Sequence, residues 1–457
     1  MGERLRGSFR DPSGYLFRRD GVLYRSVAPS YRAHYDALLA SGLYDELAAG
    51  GLLVRHEEMV PALAPGAYRV LRPDVVEFVS YPYEWCFGQL KAAALCTLAI
   101  QRRALARGMV LKDASAYNVQ FQGTQPIFID TLSFERLVEG KPWAAYRQFC
   151  EHFLVPLLLV SRVDPGLARL LRVHLDGIPL ELGSRLLGAR SLGSLGALVH
   201  VVMHGRSVRK YAGHGGSRAR RAAVSARALL ALAQNLEACI RACSWEPRGT
   251  QWADYEETHG YGPASHAHKR SLVADQLRRT GAKTVWDLGA NTGEYSRLAA
   301  EQGASVVAFD LDPAAVERNF RRLAGARTDR VLPLVMDAAD PSPACGWDSR
   351  ERLSLVERGP ADAVMALALV HHLAIGRNVP FDLMAEGFAR LGRFLIVEFV
   401  PKEDPQAQRL LSSRADVFDH YTPEEFERAF GAWYAVESRQ QIAGTGRLVF
   451  VMGPKSQ

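Results

Sequence analysis

The sequence predicts an α/β chain whose C-terminal part is built on a mostly parallel sheet, and three observations predict it. First, Val285-Trp286-Asp287 is an apolar run closing on an acid; the turn Leu288-Gly289-Ala290-Asn291-Thr292-Gly293 follows, and a helical pattern opens at Glu294. Second, a further apolar run, Val306 to Phe309, ends in Asp310, near the distance at which a doubly wound fold sets a ribose-binding carboxylate. Third, strand-like and helix-like segments alternate onward to the C-terminus, as a parallel sheet requires. The glycine turn and the carboxylate together imply a nucleotide-like ligand. A pyrophosphate would want G-x-G-x-x-G, but the spacing here is Gly289-x-x-x-Gly293, with Asp287 two residues before the first glycine. A carboxylate there repels pyrophosphate and suits a ligand carrying an ammonium group and a sulfonium.

At 457 residues the chain exceeds one ordinary core. Three parts are expected: an N-terminal α+β domain over 1–165, a helical, basic linker over 166–250, and the α/β domain over 251–457. In the first part, Gly14 to Tyr24 reads as a hairpin turning at Asp20-Gly21. A helix over His34–Ala48 and strands at Tyr68–Leu71 and Val75–Val79 follow. Gln89 to Arg107 lacks Gly and Pro and stops at Gly108, which predicts a helix with a glycine end. In 166–250, Pro165, Gly177-Ile178-Pro179 and Gly213–Ser217 are breaks, and a long helix resumes over Ala222–Cys243. Strands of the last part are expected at Thr284–Asp287, Ser305–Asp310, Val331–Met336, Ala363–Leu369 and Phe394–Phe399. Thr422-Pro423-Glu424-Glu425 is a capping-box helix start. A closing hairpin runs from Tyr434–Glu437 to Arg447–Met452.

An apolar fraction of 48% and a charged fraction of 23% are those of a soluble globular protein. No apolar run reaches membrane-spanning length, since the candidate Phe153–Val160 is short and holds Pro156. The N-terminus has no signal-peptide core, so a cytoplasmic location is the expectation. The scattered cysteines, Cys239 and Cys243 included, fit reduced thiols in cores better than a metal site. The net charge of +7 has a local origin. From Leu182 to Leu236 no acid occurs, while Arg185, Arg190, Arg206, Arg209, Lys210, Arg218, Arg220, Arg221 and Arg227 lie there. Such a window can grip phosphate-rich partners, but Tyr211 is its only aromatic, so a solvated linker is favoured over nucleic-acid binding.

Roughly from Trp252 to Gln457 the chain resembles a class I S-adenosylmethionine-dependent methyltransferase. Asp287–Gly293 resembles the glycine-rich first motif of that family, with Asn291 at its usual middle glycine. Asp310 matches the acid that holds the ribose hydroxyls, and Asp337 matches the position beside the adenine. Ala366 to Leu373 resembles the fourth strand and its exit, which lines the methyl-transfer site. Trp252, Tyr255, Tyr261 and Lys269 match the approach segment that folds over the donor. With Asp404-Pro405-Gln406 after the fifth strand, the arrangement is similar to a bacterial group, the nodulation-protein NoeA-like methyltransferases. The resemblance implies a Rossmann-like seven-stranded sheet and S-adenosyl-L-methionine as cofactor. Its contacts are then expected at Asp287, Gly289, Asn291, Gly293, Asp310, Asp337, Ala338 and Ala368.

A hydroxyl acceptor needs a base near neutral pH, the range in which histidine titrates, and His371 and His372 sit at the strand exit. Enzymes that methylate a base's exocyclic amine carry Asn/Asp-Pro-Pro-Tyr there, and this chain has Leu369-Val370-His371-His372. A small-molecule acceptor, sugar-derived or a biosynthetic intermediate and methylated on oxygen or nitrogen, is therefore expected. RNA modification through the basic window is the rival reading.

In the N-terminal part, Asp113, Asn118 and Asp130 stand at the spacing of a phosphotransferase's catalytic-loop Asp, its metal-holding Asn and its second metal-holding Asp. The segment resembles an abbreviated kinase-like or aminoglycoside-phosphotransferase-like domain, with Tyr81–Trp85 as its hinge. Leu111-Lys112 stands where His-Arg is usual, and Asp130-Thr131-Leu132 where Asp-Phe-Gly is. No glycine loop precedes, and only Arg25 offers itself as the strand lysine. A degenerate domain without resident metal is expected, serving substrate or a protein partner. If the site were active, Asn118 and Asp130 would hold metal with Asp113 as base, making the chain bifunctional.

Overall fold

The structure is a computed structural model and describes residues 3–193, 199–201, 224–247, 262–326, 328–412 and 414–455. The chain divides into two compact units: Met1–Glu246 with Gly346–Arg352, and Pro247–Cys345 with Leu353–Gln457. Arg206, Arg209, Lys210, Tyr211, the glycine-rich 213–217, Arg218, Arg220 and Arg221 lie outside the described residues, as do Trp252, Tyr255 and Tyr261. Among the described residues no helix is long and apolar enough to cross a membrane.

The first unit opens on five strands, β1 (Glu3–Arg4), β2 (Leu16–Arg19), β3 (Val22–Val27), β4 (His56–Met59) and β5 (Arg69–Pro73), ordered β1-β2-β3-β5-β4 and all antiparallel. Asp20 and Gly21 both take positive φ, at 51° and 77°, which gives the two-residue turn that strand twist favours. The expected strand at Val75–Val79 does not form. It follows Pro73, and Val75 and Val79 are both exposed, so no ladder or core supports it. The expected helix over His34–Ala48 is two, Arg32–Ala40 and Leu43–Ala49, divided at Gly42, whose φ is 70°.

The helix Phe87–Ala106 then buries Leu90, Ala93, Ala94, Leu98 and Ile100. It leads to β6 (Met109–Leu111), β7 (Val119–Gln122), β8 (Gln125–Phe128) and β9 (Phe134–Arg136), which pair β6 with β9 and β7 with β8. Pro156 does not end its helix, because a wide π turn at Cys150–Leu154 runs into Val155–Arg162 and absorbs the missing N–H. The helix Ala226–Ala242 starts on the side chain of Ser225 and is fastened to Phe87–Ala106 by Arg102–Glu237 at 2.7 Å.

The second unit holds seven strands, β10 (Thr284–Leu288), β11 (Ser305–Asp310), β12 (Val331–Val335), β13 (Ala361–Ala366), β14 (Gly392–Phe399), β15 (Tyr434–Gln441) and β16 (Leu448–Pro454). Their order is β12-β11-β10-β13-β14-β16-β15, with the first five parallel and β16 antiparallel to both neighbours. Val306 to Phe309 is buried throughout, which is what a parallel strand covered on both faces demands. Val285, Val306, Val331, Met365, Ile396 and Val451 share one core. The order reverses at β10 and β13, so a crevice opens beyond their carboxyl ends, where doubly wound sheets bind ligands. Thr422 caps the last helix by accepting the Glu425 N–H, with Pro423 in the first turn, as its sequence pattern requires.

Candidate active site

The turn after β10 is shaped by backbone that few residues tolerate. Gly289 and Gly293 take φ of 75° and 77°, and a Cβ on Gly293 would overlap the Asn319 side chain. Asn291 sits at φ 49°, a left-handed conformation that Asn accepts more readily than most residues, so it serves where a glycine is usual. The N–H groups of Gly289 and Ala290 both donate to the Phe309 carbonyl at 2.9 Å, which ties the turn to β11. Asn291 N–H donates to Asp310 Oδ2 and Asp312 N–H to Asp310 Oδ1, both at 2.8 Å. The Asp310 carboxylate is thus aimed by two backbone donors while its outer side stays open.

These groups line a cavity of about 360 Å³. Its wall includes Asp287, Gly289, Asn291, Asp310, Asp337, Ala338 and Ala368, and also His372. Gly293 starts the helix behind the turn, and Thr292 and Glu294 on either side of it line the wall. Asp287 is buried and accepts from Ser296 Oγ at 2.5 Å. Burial pushes its carboxyl up to about 6, with the nearby Asp310 charge adding to the rise. Burial likewise raises Asp310 to about 6 against the pull of its two backbone donors. Asp337 accepts from Arg377 at 2.9 Å and from the Ala339 N–H. β13 stops at Ala366, short of the expected Leu369, because Ala368 turns the chain at φ 50°. That conformation costs an alanine about 1–2 kcal/mol, and it presents Leu367, Ala368 and Leu369 to the cavity.

The two histidines part company. His372 lines the cavity, whereas His371 is fully buried and neither ring nitrogen has a hydrogen-bond partner among the described residues. Their ring centroids are 4.0 Å apart. Burial holds His371 well below its usual range, and the neighbouring His372 and Arg447 push the same way. Burial and then the Arg447 charge lower His372 to about 4. Both rings are neutral at pH 7.

Behind the cavity runs a ladder of buried charge. Lys269 Nζ lies 2.7 Å from Glu398 Oε2, and Arg447 Nη1 lies 3.2 Å from Glu398 Oε1. Arg447 also grips Asp404 through Nε at 2.6 Å and Nη2 at 3.0 Å. Lys269, Glu398 and Arg447 are all essentially excluded from solvent. Lys269 comes from the helix Pro263–Thr280, whose buried face is Ser265, Lys269, Val273, Gln276 and Leu277. Sequence reasoning gave Arg447 no role. The one signal for it is a single cation on the threshold of the apolar strand Leu448 to Met452.

In the first unit Asp113, Asn118 and Asp130 also come together. Asn118 Nδ2 donates to Ser133 Oγ at 3.2 Å, and Ser133 Oγ donates to Asp130 Oδ2. Asp113 Oδ1 accepts the Ser115 N–H at 2.9 Å, and burial raises its pKa. No group of three or more His, Cys, Asp or Glu suited to a metal occurs among the described residues. Both Asp130 oxygens are engaged by the chain itself, since Oδ1 takes Arg25 at 2.8 Å and the Leu132 N–H at 3.3 Å. As arranged, this donor set does not fit a divalent cation.

A five-strand parallel run with an antiparallel hairpin at its edge, a glycine turn after the first strand and an acid ending the second define the second unit. That is the sheet order and first turn of the class I S-adenosylmethionine-dependent methyltransferase fold. The whole chain is 36% identical over 460 residues to nodulation protein NoeA of Rhizobium meliloti (strain 1021), a match covering 98% of this chain and 95% of that protein. It belongs to the NoeA family. No family model matches the chain. Among solved structures it is similar to magnesium protoporphyrin IX methyltransferase of Synechocystis PCC 6803 with bound SAH, at 17% identity and a TM-score of 0.32, over 42% of this chain and 84% of that one. It is also similar to N-methyltransferase NodS of Bradyrhizobium japonicum WM9, at 12% and 0.31, over 42% and 98%. A third likeness is to WbdD, at 18% and 0.30, over 44% of this chain and 42% of that one. The fold follows from the β12-β11-β10-β13-β14-β16-β15 order of its own strands, and the family from the NoeA relationship.

Proposed function

We propose that the chain transfers a methyl group from S-adenosyl-L-methionine to an oxygen or nitrogen of a small-molecule acceptor. The observation that carries this reading is one cavity lined by Asp310, the glycine turn, Asp337 and His372. The donor set suits the cofactor: Asp310 for the ribose hydroxyls, Asp287 for the ammonium group, Asp337 and Ala338 beside the adenine. When bound, the cofactor supplies an electrophilic methyl on sulfur. The protein's own work is then positioning and exclusion of water. His372 is held neutral at pH 7, so a ring nitrogen offers a lone pair to the acceptor's O–H or N–H. At about 4 its basicity is well below that of an efficient base at neutral pH, so its part is to orient the acceptor proton more than to remove it. The relative's name attaches to nodulation, and we extend that setting, in the cytoplasm, to this chain.

Titration calorimetry with S-adenosylhomocysteine tests the reading. Saturable binding that Asp310→Ala weakens is expected; no heat from well-folded protein would sink it.

The first unit favours a second, narrower reading as a degenerate kinase-like domain. A β1-β2-β3-β5-β4 sheet, a long helix and the gathered Asp113, Asn118 and Asp130 support it. The Arg25–Asp130 pair stands where such a fold needs a cation. The filled coordination of Asp130 argues against turnover there.

A further inference from the structure

The connection from β1 to β2 in the first unit is fastened down and carries an acid into a pair of cations. Ala28 N–H donates to the Ser13 carbonyl at 2.7 Å, and a Cβ on Gly14 would run into the Ser26 carbonyl. So held, Asp11 Oδ2 lies 2.5 Å from Arg25 Nη2. Lys112 Nζ lies 3.7 Å from Asp11 Oδ1, donates to Ser13 Oγ at 2.5 Å and sits 4.8 Å above the Tyr31 ring. Arg25 Nη2 reaches Asp130 as well, and its Nε is buried with no hydrogen-bond partner among the described residues. The four charged side chains are between 14% and 25% exposed, so each interaction is partly shielded from water.

Two cations therefore converge on one carboxylate that comes from a connecting segment and not from a core strand. Without Asp11, Arg25 would keep Asp130, while Lys112 would lose the one carboxylate within ion-pair reach of it among the described residues. A carboxylate bridging an Arg and a Lys offers a negative charge on paired oxygens, as two oxygens of a phosphate group would in the same position. The Nε of Arg25 is a buried donor that Asp11 leaves unused.

We propose that Asp11 is a built-in substitute for a ligand anion. Arg25 and Lys112 form a phosphate-binding site in the first unit, and the 5–15 connection keeps it filled. The ligand class is a pyrophosphate or a molecule bearing one. The choice of phosphate over other anions rests on the kinase-like reading; the closure by Asp11 does not.

Calorimetry on the full chain with inorganic pyrophosphate in the presence of EDTA tests the closure. Asp11→Asn should bind pyrophosphate at least tenfold more tightly than the wild type. Asp11→Glu keeps the charge and should show no gain, and adding Arg25→Gln to Asp11→Asn should abolish it. Melting and S-adenosylhomocysteine binding confirm that each variant is folded, and Asp11→Ser replaces Asp11→Asn should the latter fail to fold. A folded Asp11→Asn or Asp11→Ser that binds pyrophosphate no better than the wild type overturns the proposal, as does an equal gain in Asp11→Glu. ATP with Mg²⁺ separates the two ideas. Pyrophosphate gained by Asp11→Asn, with ATP–Mg²⁺ binding no more tightly than pyrophosphate, supports the Asp11 closure and the degenerate state of Asp113, Asn118 and Asp130; ATP–Mg²⁺ binding far more tightly would overturn that degenerate state.

Discussion

Asp310 ends β11 and Asp130 stands just beyond β8, and each is oriented by backbone N–H donors. Their other neighbours differ. Among the described residues no cation is paired with Asp310, which lines an open cavity and is pushed up to about 6 by desolvation. Asp130 is held by Arg25 and Ser133, with a second acid, Asp11, on the same arginine. In the second unit the chain leaves Asp310 for something else to neutralise, although Asp337 in the same wall has Arg377. In the first it neutralises Asp130 and Asp11 itself. The difference separates a carboxylate left open to a cation-bearing ligand from a cluster whose cations the chain's own acids already occupy.

The second unit is not free of internal pairing, and there the contrast can be broken hardest. Arg447 neutralises Glu398 and Asp404 where none of the three meets much water. Arg447→Met should remove the cation that Asp404 and Glu398 share, at a cost of about 3–5 kcal/mol, as for other buried pairs that lose one partner. Chemical denaturation measures it. A loss under about 1 kcal/mol would mean that water reaches the ladder and that its seclusion has been overstated.

The next effect belongs to Asp310. Asp310→Ala should weaken S-adenosylhomocysteine by about 1.5–3 kcal/mol, the worth of charge-assisted hydrogen bonds. The ligand-free variant should melt no lower than the wild type, because a desolvated carboxylate has been removed. Unchanged affinity would put Asp310 in the same category as Asp130.

Much of this was legible in the residues. The apolar runs placed the strands of the second unit to within a few residues, and the turn Gly289–Gly293 and Asp310 stand where their spacing puts a ligand. Two features escaped for physical reasons. Ala368 in a left-handed turn has no compositional signature, so β13 was read as running on to Leu369. The Lys269–Glu398–Arg447–Asp404 ladder joins residues far apart in sequence, and only the packed sheet brings them together. His371 and His372 were likewise indistinguishable as adjacent letters. Burial separates them, sending one ring into the core and the other to the cavity wall.

A smaller effect follows from pH. With Asp287 and Asp310 near 6 in the empty site, each is roughly nine-tenths ionised at pH 7 and one-tenth at pH 5. Ligand affinity should therefore fall about tenfold from pH 7 to pH 5 if one ionised carboxylate is needed, and about a hundredfold if both are. Melting temperature is the poorer readout, because opposing contributions overlap. The raised carboxyls contribute stability that is present below their unfolded pKa and lost as pH rises through about 6. The depressed histidines contribute stability that is present above their unfolded pKa and lost as pH falls toward about 4. Calorimetric affinity of S-adenosylhomocysteine across pH 5–8 isolates the carboxylates, and a flat profile would show that neither charge meets the ligand.

The smallest expected effect returns to the first unit, at Asp113. Its Oδ1 accepts the Ser115 N–H, and the side chains of Asn118 and Gln148 also hydrogen-bond to it. Asparagine keeps one acceptor oxygen but loses the second, which costs about 1 kcal/mol. Against this, burial already opposes the charge of Asp113, so a neutral amide removes a desolvation penalty of the same order. Asp113→Asn should thus change unfolding free energy by no more than about 1 kcal/mol at pH 7 and leave S-adenosylhomocysteine affinity untouched. The sign with pH is definite. A raised folded pKa means that the wild-type carboxyl gives its full contribution at low pH and loses it as pH rises, while the amide does not titrate. The variant should therefore gain on the wild type between pH 4 and pH 7 in denaturant melts. If it falls further behind as pH rises, the ionised carboxylate is being held by a favourable partner, and Asp113 would have to be grouped with Asp310 as a charge kept for a ligand.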